Sequence, residues 1–156
     1  MSISKDLETY KSVFGVENIV YSHTATFIFK DNGKDRNLIS SIFLTAENIT
    51  VINTRYGLKY RIPLGDIVDF TTENKMLKYY VHLEYGRQSN RYNASIDFTT
   101  KSDGNTFISL LSLAVEVDRK RVDLENTYEN EMTKIQEYKD KELTNINEEK
   151  RKIINN

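Results

Sequence analysis

The chain of 156 residues has no cysteine, no tryptophan, one proline and six glycines. Without cysteine there is no disulfide, no thiolate nucleophile and no thiolate metal ligand. The glycines (15, 33, 57, 65, 86 and 104) all fall where the pattern expects a turn or a helix end, so none is left for a phosphate-cradling loop. A nucleophile elbow, a dinucleotide fingerprint and a zinc-protease helix motif are also missing. An enzyme is therefore not the expectation, and no cofactor is implied. No run approaches the roughly 18 apolar residues of a membrane span. The opening MSISKDLETYKS has no apolar core of the signal-peptide kind. A cytoplasmic location is the expectation. The formal net charge of −1 supplies no general pull toward nucleic acid or anionic membrane.

What is present is one domain's worth of chain, with 38% hydrophobic and 29% charged residues. That balance is polar enough to imply a part outside the core. Asn, Lys, Ile and Tyr are plentiful, as an AT-rich genome produces, in a low-GC bacterium or a phage.

Residues 3–14 place Ile3, Leu7, Tyr10 and Phe14 at helical spacing, with Gly15 as the stop. From Ile19 the period becomes two, with Tyr21, His23, Ala25, Phe27 and Phe29 on one side of a long strand. Asn32-Gly33 is the favoured pair for a tight hairpin. Strands are expected over Leu38–Thr45, Ile49–Asn53 and Leu58–Ile62, the last ended by Pro63. Further strands begin at Ile67, run through Tyr79–Tyr85 and, past Gly86, through Ala94–Phe98. About seven short strands point to a small antiparallel barrel or sandwich. The helical period returns after Lys101, with Ser102 or Asp103 as the expected N-cap. Phe107, Leu110, Leu111 and Ala114 then form a stripe to be laid on a hydrophobic surface.

Three segments stand out: Phe43-Leu-Thr-Ala-Glu-Asn-Ile49, Arg61-Ile-Pro-Leu-Gly-Asp-Ile67, and Ile96-Asp-Phe98 followed by the Phe107 helix. In this order and spacing they resemble the bacterial pleckstrin-homology-like (PH-like, GRAM-like) domains. The resemblance implies an α+β fold: a small antiparallel β-barrel of about seven strands, capped by a C-terminal helix that extends into a long solvent-exposed one. It implies Ile62, Leu64 and Ile67 as anchors pinning the linking segment over a barrel mouth. The domain expectation is an N-terminal helix over 1–15, a barrel with capping helix over 16–117, and an extended helix over 118–156. Proteins of that family often self-associate, and its lipid-binding relatives use cations on the first hairpin, here Lys30, Lys34 and Arg36. Asp31 and Asp35 lie among those cations and offset their field.

In the tail, apolar residues recur at Leu124, Tyr128, Met132, Ile135, Leu143 and Ile146, with Lys139 interrupting and Ile153 and Ile154 near the end. Steps of four, four and three make an eleven-residue period, which gives a straight or slightly right-handed seam. A heptad fit puts Glu131, Glu142 and Asn145 on the seam instead. The stripe is either incidental to a solvated helix or the face that packs on a copy or a partner. Its polar face mixes Glu125, Glu129, Glu131 and Glu137 with Lys139 and Lys141, unlike the Lys/Arg-rich face of a membrane-surface helix.

Tyr85, Arg87, Arg91 and Tyr92 gather residue types enriched in binding hot spots and are the candidate protein-contact surface; nucleic-acid stacking is disfavoured. His23 and His82 lack an acidic or second-histidine partner at ligand spacing, so no metal site is expected. The expected function is a non-enzymatic protein-interaction and assembly module. Its partner is a protein or a second copy of the chain. The alternatives are an anionic-lipid or phosphoinositide-like binder and a phage-encoded host-takeover or anti-defence factor.

Overall fold

The computed structural model describes residues 3–155; Met1, Ser2 and Asn156 lie outside it, as do the side chains of Ile154 and Asn155. The elements run α1 (Ile3–Phe14), β1 (Ile19–Asp31), β2 (Lys34–Thr45), β3 (Asn48–Asn53), β4 (Leu58–Pro63), a 3₁₀ turn (Leu64–Asp66), β5 (Ile67–Lys75), β6 (Lys78–Arg87), β7 (Asn90–Asp97) and α2 (Lys101–Asn155). By packing, the chain divides after Asp118 into two compact units.

The first unit holds one antiparallel sheet of seven strands in the order β4-β3-β2-β1-β7-β6-β5. The expected barrel is thus open. β4 and β5 are its two edges, joined by the 3₁₀ turn. The sheet curls around a core to which every strand contributes, including Phe27, Leu44, Val51, Ile62, Ile67, Val81 and Ile96. Phe107, Leu111 and Val115 of α2 close that core at spacing four, with Leu110 and Ala114 partly buried beside them.

Local chemistry sets the corners. Asn32 and Gly33 both take positive φ (52° and 79°), as the tight β1–β2 hairpin needs. At the next corner the Thr45 hydroxyl accepts from the amides of Glu47 (3.2 Å) and Asn48 (3.0 Å). That is the physical content of the Leu-Thr-x-x-x-Ile spacing: Thr45 caps the turn while Leu44 and Ile49 are fully buried. The Leu64 amide donates to Glu47 O at 2.8 Å, tying the proline link to this corner. Ile62, Leu64 and Ile67 are at most 5% exposed, so they anchor the link as expected.

Two expected signals fall differently, and one corner carries none. Gly86 is no turn: β6 continues through it to Arg87, and the chain reverses at Gln88-Ser89, with Gln88 at φ 54°. A Cβ on Gly86 would lie 1.9 Å from Asn90 O, so its bareness lets two strands close on each other. The β5–β6 hairpin turns at Met76-Leu77, which carry no turn signal. The N-cap of α2 is Thr100 rather than Ser102 or Asp103. Its hydroxyl accepts from the Asp103 amide (3.3 Å) and donates to the Asp103 carboxylate (2.7 Å).

α1 packs on the outer face of the sheet. Tyr10, Phe43 and Ile52 form a second small core there, with Ile3, Leu7, Phe14 and Ile19 around it. β2 is therefore covered on both faces, and Ser40 to Thr45 are buried without alternation.

Candidate functional site

At the hairpin end of the sheet, strands distant in sequence converge. Phe29 and Lys30 of β1, Tyr60 of β4, Tyr85 of β6, and Arg91, Tyr92 and Asn93 of β7 line a cleft of about 240 Å³. A neighbouring depression of about 310 Å³ shares Tyr60, Tyr85 and Tyr92 and adds Arg61, Arg87 and Asn90 among its walls. The three tyrosines form the partition between them. Tyr85 and Tyr92 are direct cross-strand partners with ring centroids 5.7 Å apart. The Tyr60 and Tyr85 hydroxyls share a hydrogen bond, joining the edge strand β4 to β6. Burial first, then this bond and the neighbouring phenols, push the Tyr85 hydroxyl well above the ordinary tyrosine range, so it stays protonated at neutral pH.

The structure brings together residues that the sequence placed in separate candidate sites. Lys30 joins Arg91 and Tyr92 on one cleft. The other hairpin cations are placed differently. Arg36 pairs with Asp31 at 3.0 Å. Cross-strand register sets Lys30 against Asp35, Asp31 against Lys34 and Phe29 against Arg36. Strand alternation therefore puts Lys30 on one face of the hairpin and Lys34 and Arg36 on the other. Of the contact residues expected in the second half, Tyr85 is only 7% exposed and serves as a wall, whereas Tyr92 is 55% exposed. Arg87 donates to Asp66 at 2.8 Å, holding the β6–β7 hairpin to the proline link.

Both histidines do have acidic partners, across elements rather than along the chain. His23 Nε2 lies 3.4 Å from Asp103, and His82 Nε2 lies 3.6 Å from Glu73. A linear scan misses these because strand pairing and the helix start bring the carboxylates in. A further cluster was missed altogether. Arg61 of β4 donates to Glu17 (2.6 Å), the Tyr10 hydroxyl (3.0 Å) and Thr50 (3.0 Å), and lies 3.8 Å over the Phe14 ring. Hydrogen bonds from Arg61, then from Tyr10, hold the Glu17 carboxyl below its ordinary range. Burial, then the bond to Glu17, pushes the Tyr10 hydroxyl up to about 12. This cluster fixes α1 to the sheet; it is bracing, not a binding site.

The second unit, from Arg119, is a stretch of α2 with six apolar side chains of the expected stripe exposed. Leu124 is 72% exposed, Tyr128 65%, Met132 47%, Ile135 49%, Leu143 58% and Ile146 47%. Intrahelical pairs such as Arg121–Glu125 (2.8 Å) and Gln136–Asp140 (3.1 Å) support it locally.

No protein-family model matches the chain, and no curated protein matches it in sequence. Solved structures do match in fold. The N-terminal PH domain of Vps36 aligns with a TM-score of 0.53 at 17% identity, over 66% of this chain and 82% of that one. PDZ-RhoGEF DH/PH domains, solved in complex with GTP-gamma-S activated RhoA, align at 0.52 and 12% identity over 70% of this chain. The match spans only 32% of the PDZ-RhoGEF chain. The C-terminal domain of an unknown protein from Leishmania infantum aligns at 0.51 and 11% identity, over 73% of this chain and 99% of that one. At these identities the likeness establishes architecture and nothing about ligands. Seven antiparallel strands, a capping helix and these neighbours together give the chain a pleckstrin-homology-like fold.

Proposed function

We propose that this protein is a non-enzymatic cytoplasmic interaction module of the bacterial PH-like or GRAM-like kind, whose tail helix associates with a second copy of the chain. The domain division we propose with it is 1–15, 16–117 and 118–156. The observation that carries the reading is the tail stripe. Six apolar side chains at eleven-residue periodicity are each about half exposed or more. A helix standing alone in water is marginal and gains its stability by packing. Covering these side chains is worth on the order of 1 kcal/mol each, enough in sum to hold two copies together. Light scattering at matched concentration tests this. Met132→Glu/Ile135→Glu lowers the mass of the full chain to that of a monomer. An unchanged mass removes the tail from the account.

A second reading has one observation in its favour, the meeting of Lys30 and Arg91 on an aromatic cleft. Two cations there suit an anionic group such as a lipid headgroup phosphate. That reading expects salt-sensitive binding to phosphatidylserine vesicles, lost in Lys30→Glu/Arg91→Glu and less affected by Lys34→Glu/Arg36→Glu. Binding that survives the first pair rules the cleft out. A phage origin with a host-takeover role rests on composition alone and is a matter for genomic neighbours.

A further inference from the structure

We infer that the two tail helices pair antiparallel, with their two-fold axis passing at Lys139. This rests on the self-association reading above and adds the register and direction. The stripe is symmetric about Lys139. Ile135 and Leu143 each lie four residues from it, Met132 and Ile146 seven, and Tyr128 and Lys150 eleven. Two helices that run in opposite directions and cross at Lys139 therefore set Ile135 on the partner's Leu143 and Met132 on the partner's Ile146. Every apolar layer between Tyr128 and Lys150 is matched.

Symmetry of spacing alone also permits a parallel pair; charge decides between them. From Asp123 to Glu131 the tail carries four acids (Asp123, Glu125, Glu129, Glu131) and no base, while Lys150, Arg151 and Lys152 form a basic block near its end. A parallel, in-register pair stacks acid on acid, and it brings both seam lysines, Lys139 and Lys150, onto their own copies. Like charges so placed are destabilising. The antiparallel pair lays Lys150 against the partner's Tyr128, within reach of the partner's Glu125, Glu129 and Glu131. Only Lys139 meets its own copy, and Glu142 stands one turn away on the partner to receive it. The face that must be covered and the charges that flank it thus call for the same occupant in the same orientation.

The absence of cysteine makes the test clean. A disulfide forms only when two Cα atoms come within about 7 Å, so single cysteine variants of the full chain report which positions meet. Tyr128 and Lys150 are 22 residues apart, about 33 Å along a helix. Under mild oxidation Lys139→Cys cross-links to a covalent dimer. Tyr128→Cys alone and Lys150→Cys alone stay uncross-linked, and a mixture of those two variants cross-links. Cross-linking of Tyr128→Cys and Lys150→Cys each with itself overturns the antiparallel register and establishes a parallel one. A dimer by light scattering in which neither Lys139→Cys nor the mixture cross-links overturns the register while leaving self-association standing. A chain that stays monomeric at every concentration overturns both.

Discussion

Asp6 lies at the edge of the apolar face of α1, next to Tyr10 on the helix surface, and is 2% exposed. It accepts from the Ser41 hydroxyl, the Thr54 amide (3.0 Å) and the Thr54 hydroxyl (2.7 Å), which binds the helix to β2 and to the β3–β4 corner. Asp6→Ala leaves those donors without their acceptor, at a cost of about 2–4 kcal/mol, measurable by urea unfolding. A loss well under 1 kcal/mol would show that water replaces the carboxylate. Glu17 gives a pH signature. Its folded carboxyl titrates below the ordinary value of 4.5, so its contribution is complete above that pH and is lost as pH falls through the lower folded value. Glu17→Gln therefore unfolds more readily than the parent at neutral pH, and the gap closes in acid. A gap that is constant with pH would remove the ion pair as its cause. Neither role was read from the sequence: the partners of Asp6 lie 35 and 48 residues away, and those of Arg61 come from α1, the α1–β1 loop and β3.

At the level of elements, the first half of the sheet was readable because its corners use ordinary turn chemistry: Asn32-Gly33, Thr45 and Gly57. The second half was less so. Its hairpins turn on Met76-Leu77 and Gln88-Ser89, while Gly86, the residue that looked like a turn, is a bare spot inside a strand. Gly104 is similar. It lies in the first turn of α2, where an added Cβ would come 2.0 Å from the Tyr79 ring. Met76 holds φ 55° while 97% exposed, so it bears left-handed strain with no burial to offset it. Met76→Asn, which tolerates that backbone, raises stability by about 0.5–1 kcal/mol, read as a thermal midpoint a few degrees higher. A lower midpoint would mean that Met76 has a partner. The mouth cleft was half legible: its residue types were visible along the chain, but the pairing that sets Lys30 beside Arg91 is long-range.

For the whole molecule, the long C-terminal helix expected from the sequence is present as α2; its period needs no tertiary partner to be read. Association through the tail stripe buries apolar area in the middle of the seam and ion pairs at its flanks. Added salt should accordingly weaken the dimer modestly, and not abolish it. The most direct measurement is solution mass against concentration for the full chain and for a chain ending at Asp118. The full chain is expected to move from monomer to dimer, and the shortened chain to stay monomeric throughout. A shortened chain that dimerises equally well would place assembly in the barrel and not in the tail.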